Sequence, residues 1–255
     1  MSNIIDLQAA QQELIRRAEH ELYVRRARTS LIDFTRVTKP DYLFGWFNRE
    51  LCRVLDQFLE DVINKKSPRL IISAPPRHGK SELVSRRFIA YALGRYPWLQ
   101  IMNASYSSDL ATSFNRDVQA IIDDPVFNEI FPDTLINGNM AKILGRDDVK
   151  ELKKTAEYFE TNSKGYMFSA GVGGAFTGKG SEIFCIDDPF KNREEADSET
   201  IQNKVWDWFT STAYTRLSEG GGMIIMNTRW STEDLTGKIL QKMSIGECDN
   251  YTIFE

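Results

Sequence analysis

Several protein classes are excluded by what this sequence has little of. Its three cysteines, Cys52, Cys185 and Cys248, are odd in number and lack metal-ligand spacing, which argues against a disulfide framework and a zinc site. No apolar run approaches the ~18 residues that a membrane span needs. The amino terminus also lacks the basic region and apolar stretch of a signal peptide. We therefore expect a protein of the cytoplasm without membrane contact.

An excess of basic residues is also missing. The formal net charge of −4 argues against a protein that coats nucleic acid by bulk attraction, although a local patch could still contact phosphates. The first 40 residues contain such a candidate patch: Arg16, Arg17, Arg25, Arg26, Arg28, Arg36 and Lys39. The alternative is the solvated face of an amphipathic helix, because apolar residues recur at near-helical spacing: Leu14, Ala18, Leu22 and Ala27.

Apolar runs typical of buried strands alternate with helical patterns along the chain. An apolar content of 42% with 27% charged residues is ordinary for a globular protein with one substantial core. The patterns predict strands at 69–73, 99–104, 183–186 and 223–226, a hairpin of 157–161 with 166–170, and helices at 81–93, 109–122, 198–210 and 232–243. This alternation predicts an α/β fold with a mainly parallel central sheet flanked by helices. We expect an N-terminal helical segment, residues 1–40, and a domain of residues 41–255.

The strongest motif lies in residues 74–81, Ala-Pro-Pro-Arg-His-Gly-Lys-Ser, between a predicted strand and a predicted helix. It fits the phosphate-binding P-loop pattern G-x-x-x-x-G-K-[ST], except that alanine replaces the first glycine. Gly79 would allow close backbone approach, Lys80 would bind the β and γ phosphates, and the Ser81 hydroxyl would ligate Mg²⁺. The loop residues between them should present their backbone to the phosphates: Pro76, Arg77 and His78. The alternative is a proline-stiffened turn with an incidental Gly-Lys-Ser.

A pair of carboxylates follows another apolar run, in residues 183–188, Ile-Phe-Cys-Ile-Asp-Asp. Asp187 should hold Mg²⁺ through a water, and Asp188 should orient and deprotonate the water that attacks the phosphate. The alternative is that the two acids merely end a strand. Their position downstream of a P-loop favours the catalytic interpretation.

Several segments in order resemble the large terminase family of tailed viruses and related prophages. They are the P-loop, Ser-Tyr-Ser-Ser-Asp-Leu-Ala at 105–111, Gly-Val-Gly-Gly at 171–174 with Thr-Gly-Lys-Gly at 177–180, the Asp-Asp-Pro segment with 191–197, and Thr-Arg-Trp at 228–230 with Glu-Asp-Leu at 233–235. The resemblance implies a P-loop NTPase of the ASCE type that hydrolyses ATP with Mg²⁺ and drives double-stranded DNA into a procapsid. It also implies a host-cytoplasmic protein with three partners: a small terminase subunit, the portal protein, and further copies of itself in a ring.

The resemblance also assigns roles to residues outside the two motifs. Asn227 and Thr228 correspond to the segment that senses the γ-phosphate and couples hydrolysis to movement. Asn48 stands where relatives present an adenine-reading glutamine, and Trp46 or Phe47 could stack on the base. The alternative for these aromatic residues is that they attach the helix to the core.

Two departures from the family pattern bear on catalysis. Asp188 stands where relatives often have glutamate, which shortens the reach to the water. Family motors also use an arginine finger, for which the candidates are Arg77, slightly favoured, Arg193 and Arg229. Lys179, in the glycine-rich segment, would be a weaker finger because lysine lacks the planar fork of arginine.

Large terminases carry a nuclease domain after the ATPase, and this sequence stops where that part would begin. We therefore expect an isolated, weakly active and mostly monomeric ATPase domain without DNA cleavage. Two alternative functions remain. A helicase-like nucleic-acid ATPase would need a second P-loop-like domain, and a nucleotide-binding switch would not need Asp188. A small-molecule kinase is disfavoured because no acceptor lid with clustered arginines is evident.

Overall fold

A seven-stranded sheet forms the centre of the molecule. The computed structural model describes residues 2–138, 145, 152–174, 176 and 178–255, with side chains from residue 11 onward. The strands are β1 (Arg69–Ser73), β2 (Gln100–Ser105), β3 (Tyr158–Glu160), β4 (Tyr166–Gly171), β5 (Ser181–Asp187), β6 (Leu217–Asn227) and β7 (Thr252–Phe254). Their order is β3-β4-β2-β5-β6-β1-β7, and every neighbouring pair is parallel except β3 with β4. The predicted α/β fold with a mainly parallel sheet, and the predicted hairpin, are confirmed.

Helices cover both faces of this sheet. They are α1 (Ser2–Ala27), α2 (Leu31–Thr38), α3 (Trp46–Ile63), α4 (Ile89–Arg95), α5 (Ser108–Asp123), α6 (Pro125–Ile130), α7 (Arg193–Asp197), α8 (Glu199–Trp208) and α9 (Leu235–Ser244). A π-helical stretch, Glu82–Phe88, leads directly into α4, and another, Phe209–Ala213, continues α8. No helix in the described ranges is long and apolar enough to cross a membrane.

Two apolar cores result from the alternation of side chains along the strands. On β5, Ile183 points into the core shared with α2, α3, α4 and α5, whereas Phe184 points into the core shared with α8 and α9. Both faces of the central strands are thus buried, which explains why these strands appear in the sequence as continuous apolar runs. Full burial of a side chain such as Phe184 contributes about 1.5–3 kcal/mol.

The N-terminal segment consists of two helices rather than one. The first helix ends at Ala27, and Ser30 begins the second as its N-cap, since its side chain accepts from the backbone N–H of Asp33 at 3.3 Å. Helix α2 packs into the same core as α3, whereas Leu14 and Leu22 of α1 are 69% and 55% exposed. The apolar stripe of α1 is therefore exposed at Leu14 and Leu22 and is buried only near its carboxyl end, at Val24 and Ala27. The division of the chain at residue 40 stays a prediction.

Candidate nucleotide site

The predicted site residues meet at one edge of the sheet because three parallel strands end there. The P-loop follows β1, the acidic pair ends β5, and β6 lies between these two strands. The register places Ser73 of β1 beside Asn227 of β6, and Asp187 of β5 beside Met226 of β6. Hydrogen bonding within the sheet therefore fixes the spacing of the three chain segments.

The P-loop backbone turns at two residues with left-handed conformations. Arg77 has a φ of 64° and Gly79 a φ of 77°. Ala74 replaces the first glycine of the pattern. It does not have a positive φ, and it is 7% exposed at the end of β1. An alanine is therefore tolerated at position 74 without backbone strain.

Lys80 occupies the centre of the site. The residue is 4% exposed, and its ammonium donates to the Ala74 carbonyl at 3.2 Å and to the Thr228 hydroxyl at 2.5 Å. The same nitrogen lies 3.3 Å from Oδ2 of Asp188. Three donors thus have three partners from three different chain segments.

Asp187 is the most deeply buried of these groups, with 1% of its surface exposed. Burial and, secondarily, the neighbouring Asp188 raise the pKa of Asp187 to about 7. Two hydroxyls donate to its carboxylate: Ser81 Oγ at 3.3 Å and Ser85 Oγ at 2.6 Å. Sequence reasoning missed Ser85, although its position four residues after Ser81 on a helix was an available signal.

Asp188 adopts a left-handed conformation, with a φ of 45°, that costs a non-glycine residue on the order of 1 kcal/mol or more. Its backbone is held on both sides: its N–H donates to the Met226 carbonyl at 2.8 Å and its carbonyl accepts from Tyr106 at 3.2 Å. Its Oδ1 accepts from the backbone N–H of Thr228 at 2.7 Å. The carboxylate is therefore directed toward the end of β6 and toward Lys80.

The oxygen atoms of this site suit Mg²⁺. Within the described residues no group of three or more histidine, cysteine, aspartate or glutamate side chains could hold a metal ion alone. Ser81 and Asp187 nevertheless present two oxygens 3.3 Å apart. Mg²⁺ binds oxygen ligands and is commonly held by one or two protein groups together with phosphates and water. Ser81 and Asp187 thus fit the predicted metal-binding role, which stays a prediction.

The end of β6 brings the two predicted sensor residues into different surroundings. Thr228 contacts Lys80 through its hydroxyl and Asp188 through its backbone. Asn227 is 3% exposed, and its Oδ1 has no hydrogen-bond partner in the part of the chain that the structure describes. An unpaired buried acceptor is uncommon in proteins, so Asn227 retains a capacity for hydrogen bonding at this edge.

The candidate arginine fingers differ in whether their guanidinium groups are already paired with a carboxylate. Arg229 is bound to Asp234 at 3.0 Å, and Arg193 to Asp197 at 3.3 Å. Arg77 is exposed on the P-loop and makes no hydrogen bond or ion pair with any described residue. It is therefore the candidate whose guanidinium needs no bond broken before it binds a phosphate.

Lys179 lies at the opposite edge of the sheet. Its ammonium lies 3.6 Å from the ring centre of Tyr158 and 4.5 Å from that of Tyr166, which begins β4. The seven residues of β5 separate it from the acidic pair, a span of roughly 20 Å. Lys179 thus cannot serve as a finger for the nucleotide of its own chain. Thr177, of the same glycine-rich segment, lies outside the described residues.

A cavity of about 370 Å³ lies beside the P-loop, between it and the start of α3. Trp46, 76% exposed, and Phe47 line it together with Arg77. Asn48 also lines it, but its side-chain contacts are to the P-loop backbone at His78 and to Tyr42. The adenine-reading role of Asn48 stays a prediction. His78 is exposed, with Nδ1 3.0 Å from the Pro76 carbonyl, which suits a positioning residue.

Comparisons with known proteins bear on the family to which this chain belongs. The crystal structure of the HK97 bacteriophage large terminase is similar, at 13% sequence identity and a TM-score of 0.47. That similarity covers 76% of this chain and 37% of the HK97 protein, so this chain spans well under half of its length. No curated protein sequence matches the chain. The family described as "Terminase large subunit, T4likevirus-type, N-terminal" matches residues 71–251, which include the P-loop, the acidic pair and the end of β6. The chain therefore belongs to the family of large terminase subunit N-terminal domains.

Proposed function

We propose that this chain hydrolyses ATP with Mg²⁺ and that, within a packaging motor, hydrolysis drives double-stranded DNA into a procapsid. The arrangement of Lys80, Thr228 and Asp188 carries the proposal: one ammonium lies 2.5 Å from the hydroxyl and 3.3 Å from the carboxylate. Phosphate binding needs the lysine, whereas a carboxylate held in a strained conformation beside it is suited to acting on water. A site that only bound nucleotide would not need Asp188.

Phosphate binding would rearrange the contacts of Lys80. The helix that begins after Gly79 leaves its first N–H groups without partners inside the helix, and these donors bind phosphate oxygens. A phosphate also binds an ammonium more strongly than the Ala74 carbonyl does. We expect the triphosphate to draw Lys80 away from Asp188, so that Oδ2 becomes free to accept a proton.

Each carboxylate then has a separate role. Asp187 and Ser81 would hold Mg²⁺, which neutralises negative charge on the phosphates when bound. Asp188 keeps Oδ1 on the N–H of Thr228 and offers Oδ2 to the attacking water. A positioned general base of this kind contributes about 10²- to 10⁴-fold in rate.

The segment after β6 links the site to α9. Thr228 contacts both Lys80 and Asp188, and the next residue, Arg229, is paired with Asp234, which is 1% exposed and caps α9. A change at the γ-phosphate would therefore be passed through two adjacent residues to a helix on the other face of the sheet. This supports the predicted coupling role of the segment.

Membership of the large terminase family supports the following assignment of partners to the proposed motor. We propose that the chain works in the host cytoplasm with double-stranded DNA, a small terminase subunit and the portal protein, as one of several copies in a ring. The arginine that completes the site in such a ring, Arg77 or one from a neighbouring copy, would stabilise charge on the transferring phosphoryl group and add about 10³-fold or more in rate.

Steady-state release of phosphate from Mg-ATP tests the proposal, with nucleotide binding measured in parallel. Lys80→Ala should lose both binding and turnover. Asp188→Asn should bind ATP like the parent, because the amide keeps an acceptor for the Thr228 N–H, and should turn over about 10²- to 10⁴-fold more slowly. Asp207→Asn, at an exposed carboxylate of α8, is the matched control and should behave like the parent.

Two outcomes would contradict the proposal. Equal turnover in Asp188→Asn and the parent would remove Asp188 from catalysis. Tight ATP binding without turnover in the parent, both alone and with double-stranded DNA, would favour the nucleotide-switch alternative.

A further inference from the structure

Two side chains from outside the P-loop hold its backbone. Asn48, in the first turn of α3, donates through Nδ2 to the carbonyl of His78 at 2.9 Å and to the hydroxyl of Tyr42 at 3.0 Å. Tyr42, in the loop between α2 and α3, donates in turn to the carbonyl of Gly79 at 3.4 Å. The carbonyls of two successive P-loop residues are thus bound by one connected pair of side chains.

The orientation of the Asn48 amide is fixed by the helix that carries it. The backbone N–H of Gly45 donates to Asn48 Oδ1 at 3.1 Å, so the oxygen faces the helix amino end and the NH₂ group faces the P-loop. Asn48 is 9% exposed. Its two N–H donors already have two acceptors, so it has no donor left for a nucleobase.

Tyr42 also packs directly on the glycine of the P-loop. A Cβ atom built on Gly79 would lie 2.1 Å from the Tyr42 hydroxyl oxygen, far inside contact distance. Burial raises the pKa of Tyr42 above its usual range, so the phenol stays protonated and able to donate at physiological pH. Gly79 is therefore needed for its left-handed φ and also for the close approach of Tyr42.

Holding these carbonyls determines where the neighbouring N–H groups point. A trans peptide is planar, with its C=O and N–H directed to opposite sides. Fixing the carbonyls of His78 and Gly79 therefore directs the N–H groups of Gly79 and Lys80 away from the side chains of Tyr42 and Asn48. These N–H groups belong to the part of a P-loop that binds phosphate oxygens.

We infer that Tyr42 and Asn48 are positioning residues that preorganise the phosphate-binding backbone, and that Asn48 sets affinity for the triphosphate rather than selectivity for adenine. The inference rests on the proposed function, since it concerns the same nucleotide site. It separates two roles for Asn48 that predict different ligand dependence. A residue that reads the base affects only ligands with that base, whereas a residue that shapes the loop affects every ligand with the phosphates.

The test compares Tyr42→Phe and Asn48→Ala with the parent in binding of Mg-ATP, Mg-GTP and inorganic triphosphate. Tyr42→Phe removes one hydroxyl and should weaken all three ligands by a common factor of about 3- to 10-fold. Asn48→Ala leaves two backbone groups without partners and should weaken all three by about 10- to 50-fold, with the ATP-to-GTP preference unchanged. Tyr214→Phe, which loses a hydroxyl bonded to Asp249 away from the site, is the matched control and should bind like the parent.

The outcomes separate this inference from the proposed function. If Asn48→Ala weakens ATP, leaves inorganic triphosphate unchanged and reduces the ATP-to-GTP preference, Asn48 reads the base and the inference is overturned. If the parent turns over ATP while both variants bind all three ligands like the parent, the inference alone fails. A parent that binds neither ATP nor triphosphate refutes the proposed function and the inference with it. Thermal unfolding verifies folding of each variant, and Tyr42→Phe, which lacks one oxygen atom, keeps the test decisive if Asn48→Ala does not fold.

Discussion

Replacing Ser85 by alanine removes one hydrogen bond from the buried carboxylate of the candidate metal site. Ser85 Oγ donates to Asp187 Oδ2 at 2.6 Å, and the two residues are 0% and 1% exposed. A hydrogen bond to a charged group is worth about 1.5–3 kcal/mol. This bond favours the ionised form of Asp187, whose pKa is raised to about 7 by burial and by Asp188.

The cost of Ser85→Ala should therefore depend on pH. The folded pKa of Asp187 lies above its ordinary value of 3.8, so the folded protein holds this proton at acidic pH and must ionise a buried group as pH rises through about 7. Without Ser85 the pKa of Asp187 rises further. We expect little loss of unfolding free energy near pH 5.5. The loss should reach about 1–2 kcal/mol near pH 8.5. It cannot exceed ~1.4 kcal/mol for each pH unit above the original pKa, because Asp187 can stay protonated in the variant.

Urea-induced unfolding in the presence of a metal chelator measures this difference at the two pH values. Ser105→Ala is the matched control. Ser105 is 0% exposed and opposes Asp187 in the register of β2 with β5, but its Oγ has no partner among the described residues. The unfolding free energy lost in Ser105→Ala should be small and independent of pH, because no hydrogen bond to the carboxylate is removed. Equal effects of the two substitutions at both pH values would refute the assigned role of Ser85.

Two further predictions concern stability away from the site. Burial raises the pKa of Asp56 from 3.8 to about 6 although it accepts from the N–H of Leu31. Asp56→Asn should increase the unfolding free energy near pH 8 by roughly 1–2 kcal/mol, because the variant no longer has to ionise a buried carboxyl. The figure is lower than the pKa shift alone implies, since solvent screens this partly exposed group. That gain should disappear as pH falls from about 6 toward 4, since the parent is then protonated, and a pH-independent effect would contradict it. Gly222→Ala would place a Cβ 2.5 Å from Phe58, so urea unfolding should show a loss of about 1–3 kcal/mol. Gly138→Ala, with no atom within 4 Å of the added Cβ, should be neutral, and equal losses would contradict the packing argument.

The sequence was sufficient to predict most of the sheet and the position of the site. Apolar runs located β1, β2, β5 and β6 because strands buried on both faces must be apolar throughout. The P-loop and the acidic pair were recognisable because each follows such a run, and parallel strands bring their carboxyl ends to one edge. Both expectations depend on local pattern together with one rule of topology.

Other features depend on tertiary contacts and could not be predicted. Strand β6 begins at Leu217 rather than at the predicted 223, and within it Gly222 fits beneath Phe58 and Val62, where no side chain has space. Strand β7 is three residues long and is defined only by pairing with β1. The π-helical turns of Glu82–Phe88 likewise have no local signal in a sequence that fits an ordinary helix.

The direction of individual side chains was the least predictable part of the site. Sequence position placed Asn48 near the predicted nucleotide site, but only its contacts with Gly45 and His78 show that its NH₂ group faces the P-loop. Lys179 was a candidate finger by its place in a glycine-rich segment, yet the sheet separates it from the acids. For Asn48 the chain position was informative and the direction of the amide was not predictable, whereas for Lys179 the chain position itself suggested a role that the sheet excludes within one chain.

The pairing of β1, β6 and β5 in one hydrogen-bonded ladder has a consequence for how this site can vary. The backbone positions of Ser73, Asp187 and Asn227, from which the P-loop, Asp188 and Thr228 continue, are set by the main-chain bonds of this ladder rather than by side-chain contacts. Substitutions at this edge can therefore change the chemistry while the spacing of the reacting groups is preserved. The same rigidity lets the sequence at this edge vary, and the alanine at position 74 is one instance. Any movement during the reaction must then occur in the loops that leave the sheet.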